Sequence, residues 1–240
     1  ALANNTTGAS NTAVGYYAMV TNTTGATNTA VGDGALYSNT TASSNTAVGR
    51  SALLYTTTGA YNVAVGALAL DANTTAANNT AVGYGSLGAN TTGSPNIGVG
   101  KSTLAANTTG YNNIAIGNAS LSTQTTTNGN IAIGRDALKV TTGGDNLAIG
   151  NYALDANTTA TNNIAIGYNA GGAITTGVNN VAVGNNALDA NTTGASNTAF
   201  GTGALGANTT AASNVAVGNN ALTAATTGGY NVAVGDSALD

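Results

Sequence analysis

Apolar residues in this chain recur at a fixed distance. Stretches such as Thr12-Ala13-Val14, Thr29-Ala30-Val31 and Val63-Ala64-Val65 set β-branched residues two apart with Ala between them, the period of an extended strand. Each closes on Gly, is followed four residues later by Leu or, in the first, Met, and then gives way to a polar run of Asn, Thr and Gly. The closing glycines are Gly15, Gly32, Gly49, Gly66, Gly83, Gly100, Gly117, Gly134, Gly150, Gly167, Gly184, Gly201, Gly218 and Gly235. Every step is 17 residues except the one of 16 from Gly134 to Gly150, where KVTTGGDN lacks a residue before its Thr pair. A fixed period of this size is the signature of a repeat architecture and decides the fold before any single element does.

The unit reads A-L-x-x-N-T-T-G-x-x-N-[TVI]-A-[VI]-G-x-x. Besides the closing Gly, two features never vary in kind. The Thr pair occurs in all fourteen copies, and so does the Asn four before the closing Gly: Asn11, Asn28, Asn45, Asn62, Asn79, Asn96, Asn113, Asn130, Asn146, Asn163, Asn180, Asn197, Asn214 and Asn231. The Leu position departs only at Met19 and Gly171, while the charged residues and most Tyr occupy variable positions or their neighbours. Fixed small and polar residues alternating with free ones describe a coil with a constant inside and a permissive outside.

Corners of Asn and Gly, with β-branched Thr, disfavour helix. The unit predicts two short strands per coil, N-[TVI]-A-[VI] and A-L-x-x-N-T-T, joined by two turns. One unit buries too few apolar groups to offset the entropy of ordering its backbone; stacked units share their faces and hydrogen bonds. The expected fold is therefore all-β: a parallel β-solenoid of fourteen coils, a single repeat domain over 1–240, on the order of 67 Å long at about 4.8 Å per coil. The invariant Asn column is expected to form an amide ladder, and the closing Gly to supply a corner with positive φ. Of two adjacent Thr, one is expected to face in and one out. The Ala between the β-branched residues is expected to face away from the coil's own core, making Ala13, Ala30, Ala47, Ala64 and Ala81 candidate contacts for a second chain or a neutral surface strand.

Composition narrows the class. Charged residues are 5% of the chain against 42% apolar, unlike the signature of disorder. Net charge is −4, from eight Asp and four basic residues, and excludes a basic footprint for nucleic acid. Cys is absent, so no disulfide holds the fold, and no run of 18 apolar residues marks a membrane span. Both ends stop in the same repeat phase without a polar capping coil, as expected of a section of a longer fibre.

The string N-[TVI]-A-[VI]-G-x-x-A resembles the head repeat of trimeric autotransporter adhesins of the YadA type, in which S-[VI]-A-[IV]-G-x-x-A units form a left-handed parallel β-roll in each of three chains. The 17-residue form, with NTTG between successive AVG strands, is similar to repeats in phage tail-fibre-like proteins and large bacterial surface proteins. The resemblance spans all 240 residues and places Ala13, Val14, Gly15 and their equivalents on the adhesin strand motif. It implies a left-handed roll, a homotrimer and an extracellular spacer or binding role on a cell surface or virion.

Several chemical motifs dissolve on inspection. Gly83, Gly85 and Gly88, like Gly201, Gly203 and Gly206, spell GxGxxG but lead into another turn instead of a helix whose N-terminus could meet a pyrophosphate. With no His, Cys or Glu, the usual bases and nucleophile activators are missing, and neither catalysis nor a cofactor is expected. Asp71, Asp155 and Asp189 share one repeat position but lie on the fourth, ninth and eleventh coils, too far apart to hold one cation. NTT matches the N-glycosylation sequon at Asn5, Asn22, Asn39, Asn73, Asn90, Asn107, Asn157, Asn191 and Asn208. Other copies carry Thr56, Gln124, Ile174 or Ala225 there, so this column is expected at an outward or corner position that could take a glycan. Ice binding is a minor alternative, weakened by adjacent Thr that cannot both face out. The leading expectation is a structural fibre or shaft segment that self-associates. The alternative is an adhesin module whose variable Tyr16, Tyr17, Tyr84, Tyr111 and Tyr168 contact glycans or another surface.

Overall fold

A computed structural model describes residues 1–240, which divide into two compact units, Ala1–Thr126 and Thr127–Asp240. The first holds strands β1 (Thr12–Val14), β2 (Thr29–Val31), β3 (Thr46–Val48), β4 (Val63–Val65), β5 (Thr80–Val82), β6 (Asn96–Val99) and β7 (Asn113–Ile116). The second holds β8 (Ile131–Ile133), β9 (Leu147–Ile149), β10 (Ile164–Ile166), β11 (Val181–Val183), β12 (Thr198–Phe200), β13 (Val215–Val217) and β14 (Val232–Val234). Within each unit every strand pairs in parallel with the next in sequence, and like residues stand side by side, as in Ala30 beside Ala47 and Ala165 beside Ala182. Each unit is thus a parallel β-solenoid, as the 17-residue period predicts.

The coil carries one strand, not two. The segment expected as a second strand is a series of turns, and the cause is the backbone of its Leu. From Leu138 at φ 47° to Leu222 at φ 57°, the Leu column lies in the left-handed region, as do the residues two positions earlier, such as Tyr17, Ser51 and Asn169. A non-glycine residue there costs on the order of 1–3 kcal/mol. Leu36, Leu53, Leu70, Leu154 and Leu188 are fully buried, and filling the core offsets that cost.

The closing Gly behaves as expected. Gly32 sits at φ 137°, and a Cβ on it would lie 2.5 Å from the carbonyl oxygen of Gly49. Backbone conformation and the nearness of the next coil each exclude a side chain. Coils are then tied at many points: the Met19 N–H donates to Ala35 O at 3.0 Å, Thr23 N–H to Thr40 O at 2.9 Å, Thr29 N–H to Asn45 O at 2.8 Å and Gly32 N–H to Val14 O at 2.8 Å.

In the 16-residue coil the register shows which residue is missing. Thr141 is buried and donates to the Asn157 amide oxygen at 3.2 Å, while Thr142 donates to Thr158 O at 2.8 Å. The KVTTGGDN pair therefore takes the Asn and first-Thr places, so the residue lost is the second Thr and not, as expected, one before the pair.

Candidate functional site

Two asparagine columns run through the interior of each unit. In the invariant one, Asn45 N–H donates to Asn28 Oδ1 at 3.0 Å and Asn62 N–H to Asn45 Oδ1 at 2.8 Å, while the Asn62 amide reaches Ala76 O at 2.9 Å. The second unit repeats this: Asn180 N–H bonds Asn163 Oδ1 and Asn197 N–H bonds Asn180 Oδ1, both at 2.9 Å. The expected ladder is present, and it bonds to backbone as well as to neighbouring amides.

The sequon column corrects an expectation. Asn22, Asn39, Asn73, Asn90, Asn107, Asn157, Asn191 and Asn208 are fully buried, and Asn5 in the first coil is half-buried. They form a second ladder: Asn39 Nδ2 donates to Asn22 Oδ1 at 2.7 Å and Asn107 Nδ2 to Asn90 Oδ1 at 2.8 Å. An amide nitrogen inside a coil offers no place for a glycan. The column varies because its members need only fit a corner: Thr56 accepts from Asn73 Nδ2 at 3.1 Å, and Gln124 donates to Asn107 Oδ1 at 3.4 Å. The Thr pair also differs from expectation. The first Thr lies at the surface with its hydroxyl on the next coil, as Thr57 to Thr74 O at 3.1 Å, and the second is exposed.

The strand faces are reversed from the expected sense. Ala30, Ala47, Ala64 and Ala81 are fully buried and Ala13 is half-buried, so this column is core and gives a second chain nothing to touch. The reason is space. At Gly98, the one coil without the Ala, a Cβ would meet Ser86 Oγ at 2.5 Å and Thr103 Oγ1 at 2.9 Å, and both replace the Ala that other coils carry there. The inner side of the strand holds one methyl between two others, and β-branched residues must face out. Val14 is 58% exposed and Phe200 56%, with Val65, Ile97, Ile116 and Ile164 also exposed. The outward residues stand two apart, the spacing the Thr pair lacked, but Thr fills only some of these places, which breaks any continuous hydroxyl column.

Variable positions gather aromatic rings. In the first unit Tyr16 and Tyr17 have centroids 3.9 Å apart, and Tyr37 stands edge-on to Tyr17 at 6.0 Å. The Tyr17 hydroxyl, before burial or the Asp33 charge, raises the Tyr16 phenol above its usual range. In the second unit Tyr168 meets Tyr152 edge-on at 5.9 Å, and the Arg135 guanidinium lies 4.6 Å over the Tyr152 ring. Tyr84 and Tyr111 stand on coils away from both groups. Tyr37, Tyr152 and Arg135 escaped the sequence reading, although their offsets of 20, 16 and 17 residues from Tyr17, Tyr168 and Tyr152 are each close to one coil.

Asp71, Asp155 and Asp189 are held above the usual carboxylate range, chiefly by partial burial and against the pull of neighbouring backbone N–H groups. Each has Gly at the same place on the next coil, Gly88, Gly172 and Gly206. Asp71 Oδ1 lies 3.3 Å from where a Cβ on Gly88 would stand, so the carboxylate leans into the notch. No helix is long and apolar enough to cross a membrane. No family model, curated protein or solved structure matches this chain.

Proposed function

We propose that this chain is a structural segment of an extracellular fibre, of the tail-fibre-like or adhesin-like kind, that spaces and presents surface groups and whose left-handed roll self-associates as a homotrimer. The observation that carries this reading is the outward strand face. Its two columns consist of Thr, Val, Ile, Leu and Phe, with no charged residue at any coil. A long uncharged β-branched surface is unusual for a free monomer and suits burial against further copies. The rest of the coil supports the reading: the inward Asn column is the same at every repeat, while variable residues such as Tyr16, Tyr37 and Tyr61 are exposed.

The test places lysine on that face. Val31→Lys, Val65→Lys and Ile116→Lys together should release single chains while leaving the β signal and thermal transition nearly unchanged, since none of the three points into the core. Unchanged assembly in this variant would sink the proposed contact.

A second reading, a surface-binding module, is favoured by the clustering of exposed rings at Tyr16, Tyr17 and Tyr37 and again by the exposed Tyr168 beside the half-buried Tyr152. Its ligand would be a glycan whose apolar ring faces stack on tyrosine.

A further inference from the structure

Arg135, Tyr152 and Tyr168 occupy successive coils of the second unit on the variable rim. Arg135 is half-exposed, lies 4.6 Å over the Tyr152 ring and donates from Nη2 to the Tyr152 hydroxyl, so ring and guanidinium hold each other in place. The backbone beneath is fixed as well. Asn151 Oδ1 accepts the Arg135 N–H at 2.9 Å, and Asn185 Oδ1 accepts the Tyr168 N–H at 3.0 Å.

One feature sets this group apart from ordinary surface decoration, and it is charge. Four basic residues serve the whole chain, and two of them, Arg135 and Lys139, are here. Lys139 Nζ holds Asp136 Oδ1 at 3.2 Å, and the other Asp136 oxygen stands 3.9 Å from Arg135 Nε. The acid is drawn to the lysine, and the outer edge of the guanidinium keeps its capacity for a second anion.

A planar guanidinium recognises a carboxylate through paired N–H donors, and exposed tyrosine faces take the C–H face of a sugar ring. We infer that Arg135, Tyr152 and Tyr168 form a binding site for a carboxylate-bearing pyranose, with Arg135 on the carboxylate and Tyr168 beneath the ring. The inference rests on the second reading above and gives it a ligand class. Polyuronates and sialylated glycans share this chemistry.

The experiment is saturation-transfer NMR, with calorimetry, on the whole chain. Trigalacturonate and sialyllactose are the acidic probes, and methyl-esterified trigalacturonate and lactose are the neutral ones. At least one acidic probe should bind, its neutral partner at least about tenfold more weakly, and whichever acid binds assigns the source. Arg135→Gln should weaken the acidic probe by about tenfold or more, Arg135→Lys by less because charge remains without the planar fork, and Tyr17→Ala not at all. Equal binding of acidic and neutral probes, or an acidic probe indifferent to Arg135→Gln, overturns the inference. Neutral probes that bind and are lost with Tyr17→Ala, with no acidic binding, overturn it and leave the binding-module reading standing; no binding of any probe removes both. Arg135 fills a position that carries Tyr16, Asp33 or Thr202 in other coils, so both variants fold.

Discussion

Ile174 Cδ1 stands 2.9 Å from the point a Cβ would occupy on Gly171, so one residue fills the core volume that the other leaves open. Both depart from the repeat: Gly171 replaces the buried Leu, and Ile174 replaces a ladder Asn. Gly171 retains the left-handed backbone, at φ 59°, that the Leu column shares. Ile174→Asn alone should open a cavity and cost about 2–5 kcal/mol. Gly171→Leu alone should overpack and cost about 1–3 kcal/mol. The double variant restores the common coil and should unfold in urea close to the wild type, with a coupling of at least about 1 kcal/mol between the sites. Additive losses would show that the two substitutions do not compensate.

The two Asn columns should respond differently to substitution. Asn180 accepts the Asn197 N–H at 2.9 Å, and its amide donates to Gly194 O at 2.9 Å and Asn163 Oδ1 at 3.2 Å. Asn180→Ala strands several buried groups at about 1–3 kcal/mol each and should cost roughly 3 kcal/mol or more. Asn191→Thr copies the arrangement at Thr56 and should cost only about 1 kcal/mol. Denaturant midpoints of the two variants, compared at equal slope, check the order.

Acid should favour the fold at the three half-buried carboxyls. Asp71, Asp155 and Asp189 have raised values in the folded chain, so the folded state binds their protons more readily than the unfolded state. Their contribution to stability is fully present below the ordinary value of 3.8 and is lost as pH rises through the raised folded values. Replacing all three with Asn should raise the melting temperature most near neutral pH and least in acid. A difference independent of pH would show that burial does not act on these groups.

Much of the fold was legible because a 17-residue step with an invariant Asn and Gly leaves few alternatives to stacked parallel coils. The direction of the faces was not. Thr12-Ala13-Val14 alternates whichever side is inside, and only the tight inner packing shows the sense: Ala30 and Ala47 are fully buried, and at Gly98 even a Cβ would stand 2.5 Å from Ser86 Oγ. The second strand was misread for a related reason: a Leu between polar residues looks extended, and nothing in its identity announces φ near 50°. The sequon column misled because variation usually marks a surface, whereas Asn22, Thr56 and Gln124 vary inside a corner that accepts several polar shapes. The aromatic groups become visible only when residues about one coil apart are laid side by side, as with Arg135 and Tyr152.

The assembly of chains through the outward Thr, Val and Ile columns is the central claim, and the molar mass of the unmodified protein in solution tests it most directly. Light scattering across a dilution series should give three times the 22.9 kDa chain. A mass of one chain that persists at high concentration would contradict the account.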